Sequence, residues 1–142
     1  MSTKLPLGSE FRKLVEARLD QTLRGIEDTL SQIMHKQGIT PKELKEDLKN
    51  LEDNFNFIFQ KWSLEILYTL LLKNTAGFGD IKKILEVNSR TLSDKLKMLA
   101  KHNYITRKVD SGPPLRVEYS LTRKGKDTVL LALPLLYYST SV

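Results

Sequence analysis

The apolar residues near the start of the chain recur at steps of three and four. Phe11, Val15, Leu19, Leu23, Ile26, Leu30 and Ile33 fall on one stripe of a helix, with Arg12, Glu16, Arg18, Asp20, Arg24 and Glu27 on the faces between them. The spacing predicts an amphipathic helix over 11–36, closed by Gly38, a residue suited to the left-handed turn that ends many helices. A second start signal follows: Thr40 as N-cap, Pro41 in the first turn, and Glu43 closing a capping box. Leu44, Leu48, Leu51 and Phe55 continue that stripe. From Lys61 to Leu72 the chain is apolar round most of its circumference, the mark of a buried helix. Asn74-Thr75-Ala76-Gly77 breaks it. A short helix is predicted over Asp80–Glu86, and a further one after Asn88, a favourable N-cap. Leu92, Leu96 and Leu99 mark the inward face of that last helix.

Beyond His102 and Asn103 the period changes from 3.6 to 2. Residues 104–109 predict a strand, and Asp110-Ser111-Gly112-Pro113-Pro114 a turn. The returning strand alternates Leu115, Val117, Tyr119 and Leu121 with Arg116, Glu118 and Ser120, giving a two-stranded hairpin. Thr122 then caps a final helix running to Tyr138 and bent at Pro134. Its run from Val129 to Tyr138 is too apolar for a free surface and far shorter than the ~20 residues of a membrane span. No membrane association is expected. The fold class is mainly α with a small β-hairpin: a helix, a tight turn, a second helix and a hairpin, the order of a winged helix-turn-helix. The chain divides into a helical arm over 1–58, a winged helix-turn-helix over 59–122, and a C-terminal dimerisation helix over 123–142.

Charge adds a direction to this layout. Residues 1–60 hold nine Lys and Arg against ten Asp and Glu, while residues 61–142 hold fourteen against seven. The net values of −1 and +7 give the +6 of the whole chain, so a polyanion would meet the second part. Within it, Ser89, Arg90, Ser93, Asp94 and Lys97 occupy the face opposite the three leucines of the 89–101 segment, at about 100° per residue. Small and hydrogen-bonding side chains allow close approach to base edges, and Arg90 has the fork that reads guanine. Asp94 suits a cytosine amino group, or an orienting contact to Arg90 or Lys97. Taken alone, the pattern is also that of a solvated helix face. The basic hairpin beside it favours DNA: Arg107, Lys108 and Arg116 are placed to meet phosphates or the minor groove. The competing function is a winged-helix adaptor for another protein, which would instead expose aromatic or aliphatic anchors on that helix.

The residues offer little to catalysis. There is no cysteine, which excludes disulfides, thiolate chemistry and Cys-based zinc sites. Of the two histidines, His35 falls near a helix end and His102 at the turn before the hairpin, neither beside a nucleophile and carboxylate. Glu43, Glu46 and Asp47 cluster, but Lys42, Lys45 and Lys49 interleave them as on a solvated face. No P-loop, dinucleotide-binding glycine pattern or His-Glu metal spacing occurs. No enzyme activity, catalytic residue, cofactor or metal is therefore expected. Trp62, Tyr68 and Phe78 read as core packing rather than pocket lining, and no effector ligand is assigned. The first residues lack the apolar core of a signal peptide, so a cytoplasmic location is expected.

Over residues 60–127 the sequence resembles the HxlR family of winged-helix transcription regulators, relatives of the MarR group. The likeness rests on Lys61-Trp62, on Phe78-Gly79-Asp80-Ile81, on the Leu92/Leu96/Leu99 spacing, and most specifically on the wing segment 113–122 closed by Gly125. The resemblance implies a homodimer that binds double-stranded DNA at an inverted-repeat operator, with N- and C-terminal helices in the dimer contact. Two departures stand out. About sixty residues precede Lys61, and Leu115 is an additional wing residue between Pro114 and Arg116.

Overall fold

The computed structural model describes residues 6–139. In chain order they form α1 (Pro6–Gln37), α2 (Pro41–Ile58), α3 (Ser63–Lys73), β1 (Thr75–Gly77), α4 (Phe78–Leu85), α5 (Ser89–Lys101), β2 (Ile105–Asp110), β3 (Arg116–Leu121) and α6 (Arg123–Ser139). The result is mainly helical with one small antiparallel sheet. It divides into two compact units. One is Asn54–Leu133, and the other comprises the chain up to Asp53 together with the residues from Pro134 on.

In the first helical unit, α1 starts earlier than its apolar stripe predicts. Pro6 opens it, its fixed φ being compatible with a first helical position. Gly38 closes it at φ 61, with its N–H donating to the Met34 carbonyl at 3.0 Å. The capping box of α2 forms as the sequence predicts: Glu43 N–H donates to Thr40 Oγ1 at 3.3 Å, and Thr40 N–H to Glu43 Oε2 at 3.2 Å. No residue of α2 is buried, and every described side chain of α1 is exposed or half-buried. Leu23, Ile26 and Leu30 of α1 and Leu48 and Leu51 of α2 lie open to solvent.

The second unit holds the core. Ile66, Leu67 and Leu70 of α3 pack with Ile81, Val87, Leu92, Leu96, Leu99, Tyr104, Ile105, Tyr119 and Val129. Trp62, Tyr68 and Phe78 are half-buried against this cluster. α3 begins at Ser63 rather than Lys61, because Trp62 takes φ 79, which a right-handed helix cannot include. The Glu65 carboxylate holds that bend by accepting the Trp62 N–H at 3.2 Å. The fully buried Ser63 hydroxyl donates to the Phe57 carbonyl at 3.2 Å, so its burial leaves no unpaired donor.

The sheet has three strands, in the order β1-β3-β2, where the sequence predicts two. Thr75–Gly77 does not merely break α3. It pairs with the outer side of β3, in the register Thr75↔Ser120, Ala76↔Tyr119 and Gly77↔Glu118. A three-residue strand is too short to show a period of two, which is why the alternation could not reveal it. β3 itself begins at Arg116, leaving Leu115 in the connecting loop rather than on the strand's apolar face. α6 is capped by Thr122, whose Oγ1 accepts the Gly125 N–H at 3.0 Å. It continues through Pro134, where the missing N–H leaves the Leu130 carbonyl without its helical donor. Among the described residues no helix is long and apolar enough to cross a membrane.

Candidate nucleic-acid interface

α4 and α5 are joined by a tight turn that fixes which way α5 faces. Glu86 adopts φ 53, Val87 is buried, and the Asn88 side chain accepts the Thr91 N–H at 2.8 Å. Leu92, Leu96 and Leu99 then anchor α5 to the core. With those three inward, Ser89, Arg90, Asp94 and Lys97 are exposed and Ser93 is half-buried. Lys95 is drawn elsewhere: its Nζ donates to Gln60 Oε1 at 2.7 Å, tying α5 to the segment before α3. Among the described residues the ion pairs are Asp20–Arg24 and Arg123–Asp127, each i,i+4 on an exposed helix face. Neither engages Arg90 or Lys97, and Asp94 makes no ion pair with them. Among the described residues the cations of this face therefore have no ion-pair partner.

The C-terminal end of α5 is locked by contacts that account for the nearby histidine. His102 is the C-cap, with its N–H donating to the Met98 carbonyl, and its ring lies 4.6 Å from Phe57. Lys124 Nζ donates to the His102 carbonyl at 3.0 Å and sits 4.5 Å from the Tyr104 ring centre. A cation at a helix C-terminus complements the macrodipole, so Lys124 serves the fold. Burial pushes the Tyr104 phenol above its ordinary range. That ring is a neutral packing element, not a titrating one. Among the described residues no group of histidine and carboxylate side chains is arranged to hold a metal ion.

The wing places its three predicted cations on two different faces. β2 and β3 pair as Ile105↔Leu121, Thr106↔Ser120, Arg107↔Tyr119, Lys108↔Glu118, Val109↔Val117 and Asp110↔Arg116. Lys108 and Arg116 thus share a face with Asp110 and Glu118, whereas Arg107 shares the other with Val109, Val117 and Tyr119. All three cations are exposed. Asp110 has a second task, its Oδ1 accepting the Gly112 N–H at 3.2 Å across the turn. Beside the wing an open cleft of about 420 Å³ is lined by Gly77, Phe78, Asp80, Arg116, Val117 and Glu118. The division of the wing between two chemistries is absent from the sequence-based expectation. The signal was available in strand parity, since 107 and 109 are odd positions and 108 and 110 even.

Residues 57–136 match the HxlR-like helix-turn-helix family. The chain belongs to that family. Among similar proteins, the HTH-type transcriptional regulator YdzF of Bacillus subtilis is 36% identical over 76 residues, 53% of this chain and 70% of the relative. The regulatory protein MalR of Fusobacterium mortiferum is 35% identical over 77 residues, 54% of this chain and 73% of the relative. Of solved structures, a MarR-family transcriptional regulator from Enterococcus faecalis V583 superposes with a TM-score of 0.56 at 27% identity, over 64% of this chain and 82% of that one. The reduced form of the regulator YodB from B. subtilis gives 0.57 at 22% identity, over 71% of this chain and 91% of that one, a likeness of fold. The HxlR-like match covers α3 through most of α6, so the winged helix-turn-helix is the shared part, and most of α1 and α2 precede it.

Proposed function

We propose that this HxlR-like protein is a homodimeric transcription regulator, binding double-stranded DNA sequence-specifically at an inverted-repeat operator in the cytoplasm. One observation carries the reading. The face of α5 turned away from the core exposes Ser89, Arg90, Asp94 and Lys97, and among the described residues no ion pair occupies the cations. Such a face enters a major groove, Arg90 in its first turn reaching base edges. The names of its relatives, an HTH-type transcriptional regulator and a regulatory protein, point the same way. In this arrangement Ser89, Ser93 and Asp94 adjust the fit to base edges, Lys97 meets the backbone, and Arg107, Lys108 and Arg116 bring the wing to the flanking duplex.

Homodimerisation rests on the open apolar stripes of α1 and α6. Leu23, Ile26, Leu30 and Ile33 on the first, and Leu131, Leu135 and Leu136 on the second, are exposed in the single chain. Patches of this kind on a single chain mark contact surfaces. The rival reading as a protein adaptor fits α5 less well, since Met98 is the one large apolar side chain that α5 exposes. The deciding experiment is a gel-shift titration of the full chain against the DNA upstream of its own gene and against random duplex. Preferential retention of the upstream fragment is expected, and equal retention of both would remove sequence-specific regulation from consideration.

A further inference from the structure

Most of α2 precedes the HxlR-like match, and its apolar stripe serves neither the core nor the contacts proposed above. No residue of the helix is buried. Leu48, Leu51 and Phe55 are each more than half exposed, and Leu44 is half-buried. The four follow one another at steps of four, three and four, which is a heptad: Leu44 and Leu51 at d, Leu48 and Phe55 at a. Such a stripe is a seam for a second helix, and the positions flanking it set which helix it accepts and in which direction. Here the flanks are Lys45 and Glu52 at e, and Asp47 and Asn54 at g. Among the described residues Lys45, Asp47 and Glu52 enter no ion pair.

Two copies of this helix fit each other in one arrangement. In a parallel pair, g of one helix meets e of the next heptad on the other. Asp47 would then face the partner's Glu52 on both sides of the seam, like charge against like. In an antiparallel pair e meets e and g meets g. With Leu48 layered on the partner's Leu51 and Leu44 on the partner's Phe55, Lys45 falls opposite the partner's Glu52, and Asp47 opposite the partner's Asn54. Two-fold symmetry forms that ion pair twice. Sliding one heptad either way sets Lys45 against the partner's Lys45, or Glu52 against the partner's Glu52. Attraction in one register with repulsion in its neighbours selects a partner, which a merely solvated amphipathic face does not do.

We propose that α2 pairs antiparallel, in this register, with α2 of a second copy outside the dimer, and so joins dimers bound at neighbouring sites on DNA. The inference rests on the DNA-binding function proposed above. The dimer itself has the stripes of α1 and α6. Two heptads make a small interface, short of the roughly 1,200 Å² where stable ones begin. A contact of that size does not gather free dimers at micromolar concentration. It becomes effective between dimers that one duplex already holds close. The result is cooperative filling of adjacent sites, each dimer raising the affinity of the next.

The test uses the full chain on duplexes carrying one or two copies of a site it selects from a randomised pool, over a range of spacings. At the best spacing wild type should bind the second site about tenfold more tightly than a lone one. Lys45→Glu and Glu52→Lys, both at exposed positions, should each lose that gain, read against the variant's own single-site affinity. The exchange of both in one chain restores the opposite charges and the net charge, and should restore the gain. The absence of cysteine allows a direct trap. Leu48→Cys mixed with Leu51→Cys should form a disulfide-linked pair on two-site DNA and little on one-site DNA or in free solution. No gain for wild type at any spacing would overturn the proposal, as would a gain that the exchange fails to restore. A stronger gain in Glu52→Lys would mean a parallel pair, and equal cross-linking in free solution would place α2 inside the dimer. Either result is equally fatal to it. Failure of wild type to select any duplex would instead remove the DNA-binding function itself, and the joining of dimers with it.

Discussion

Gly125 shows how one residue can fix the frame on which the interface is built. A Cβ there would collide with the Tyr104 carbonyl oxygen and press on Leu121. The close approach lets α6 start against the Tyr104 carbonyl, just before β2, with Thr122 bonded to both the Gly125 N–H and the Asn103 carbonyl. Gly125→Ala should therefore destabilise the protein by about 2 kcal/mol or more, as overpacking of a rigid backbone contact does. Gly79 lies in the first turn of α4 with nothing within 4 Å of its would-be Cβ. Gly79→Ala should be neutral or stabilising by a few tenths of a kcal/mol up to about 1 kcal/mol. Urea midpoints at equal m-value check the pair, and equal effects would mean that the close approach is not structural. In the function proposed above, Arg90 is the residue on which specificity turns. Arg90→Ala should relax base preference at one position per half-site by about 1–3 kcal/mol while leaving the urea midpoint in place. An unchanged operator-to-random ratio in the folded variant would show that another element occupies the groove.

At the scale of elements, what the sequence made legible depended on length and on what covers each face. α5 was readable because thirteen residues display a full 3.6 period and Asn88 sits where a cap belongs. The capping box of α2 was readable for the same reason, as an i,i+3 signature with its own local chemistry. β1 was not, because three residues carry no period and its partner strand lies some forty residues away in sequence. The wing lay between these cases. Its strands were legible, but the position of Leu115 was set by a five-residue connection between Asp110 and Arg116 that alternation alone cannot place. The stripe Leu44, Leu48, Leu51 and Phe55 shows that α2 is amphipathic without showing what covers it, and in the single chain Leu48, Leu51 and Phe55 stay open while Leu44 is half-buried. The cross-strand pairs carry a prediction of their own. Lys108 and Arg116 stand opposite Glu118 and Asp110, so the even face of the wing starts neutral. Lys108→Ala or Arg116→Ala should weaken operator and random DNA alike and flatten the log–log salt slope by about one unit for each phosphate no longer neutralised. Glu118→Gln should act in the opposite direction, strengthening random-duplex binding at low salt. A drop in affinity from Glu118→Gln would show that this carboxylate itself touches the DNA.

The whole molecule joins an acidic-to-neutral helical arm to a basic winged unit, and the function proposed here needs both. A single winged unit offers one recognition helix and one wing, hence a handful of phosphate contacts. Two units on one duplex double that number, and because counterion release scales with phosphates neutralised, they double the salt dependence. A dimer making several contacts per subunit should show a slope on the order of −5 or steeper. The open stripe of α1 is the handle that separates assembly from DNA contact. Ile26 and Leu30 are exposed on a helix that buries none of its described side chains, so charging them costs the fold of the single chain little. Wild type at micromolar concentration should sediment as twice the 16.3 kDa chain, and the double variant Ile26→Glu, Leu30→Glu as the single chain with unchanged helical content. The variant should still bind duplex DNA, with a salt slope about half that of wild type and no preference for two half-sites a helical turn apart over one. Sedimentation of wild type as a 16.3 kDa species would remove the dimer, and with it the inverted repeat, while leaving α5 and the wing to bind as a single unit. A variant that sediments as a monomer yet keeps the full slope would place all the phosphate contacts on one subunit, and the salt dependence would then owe nothing to the second.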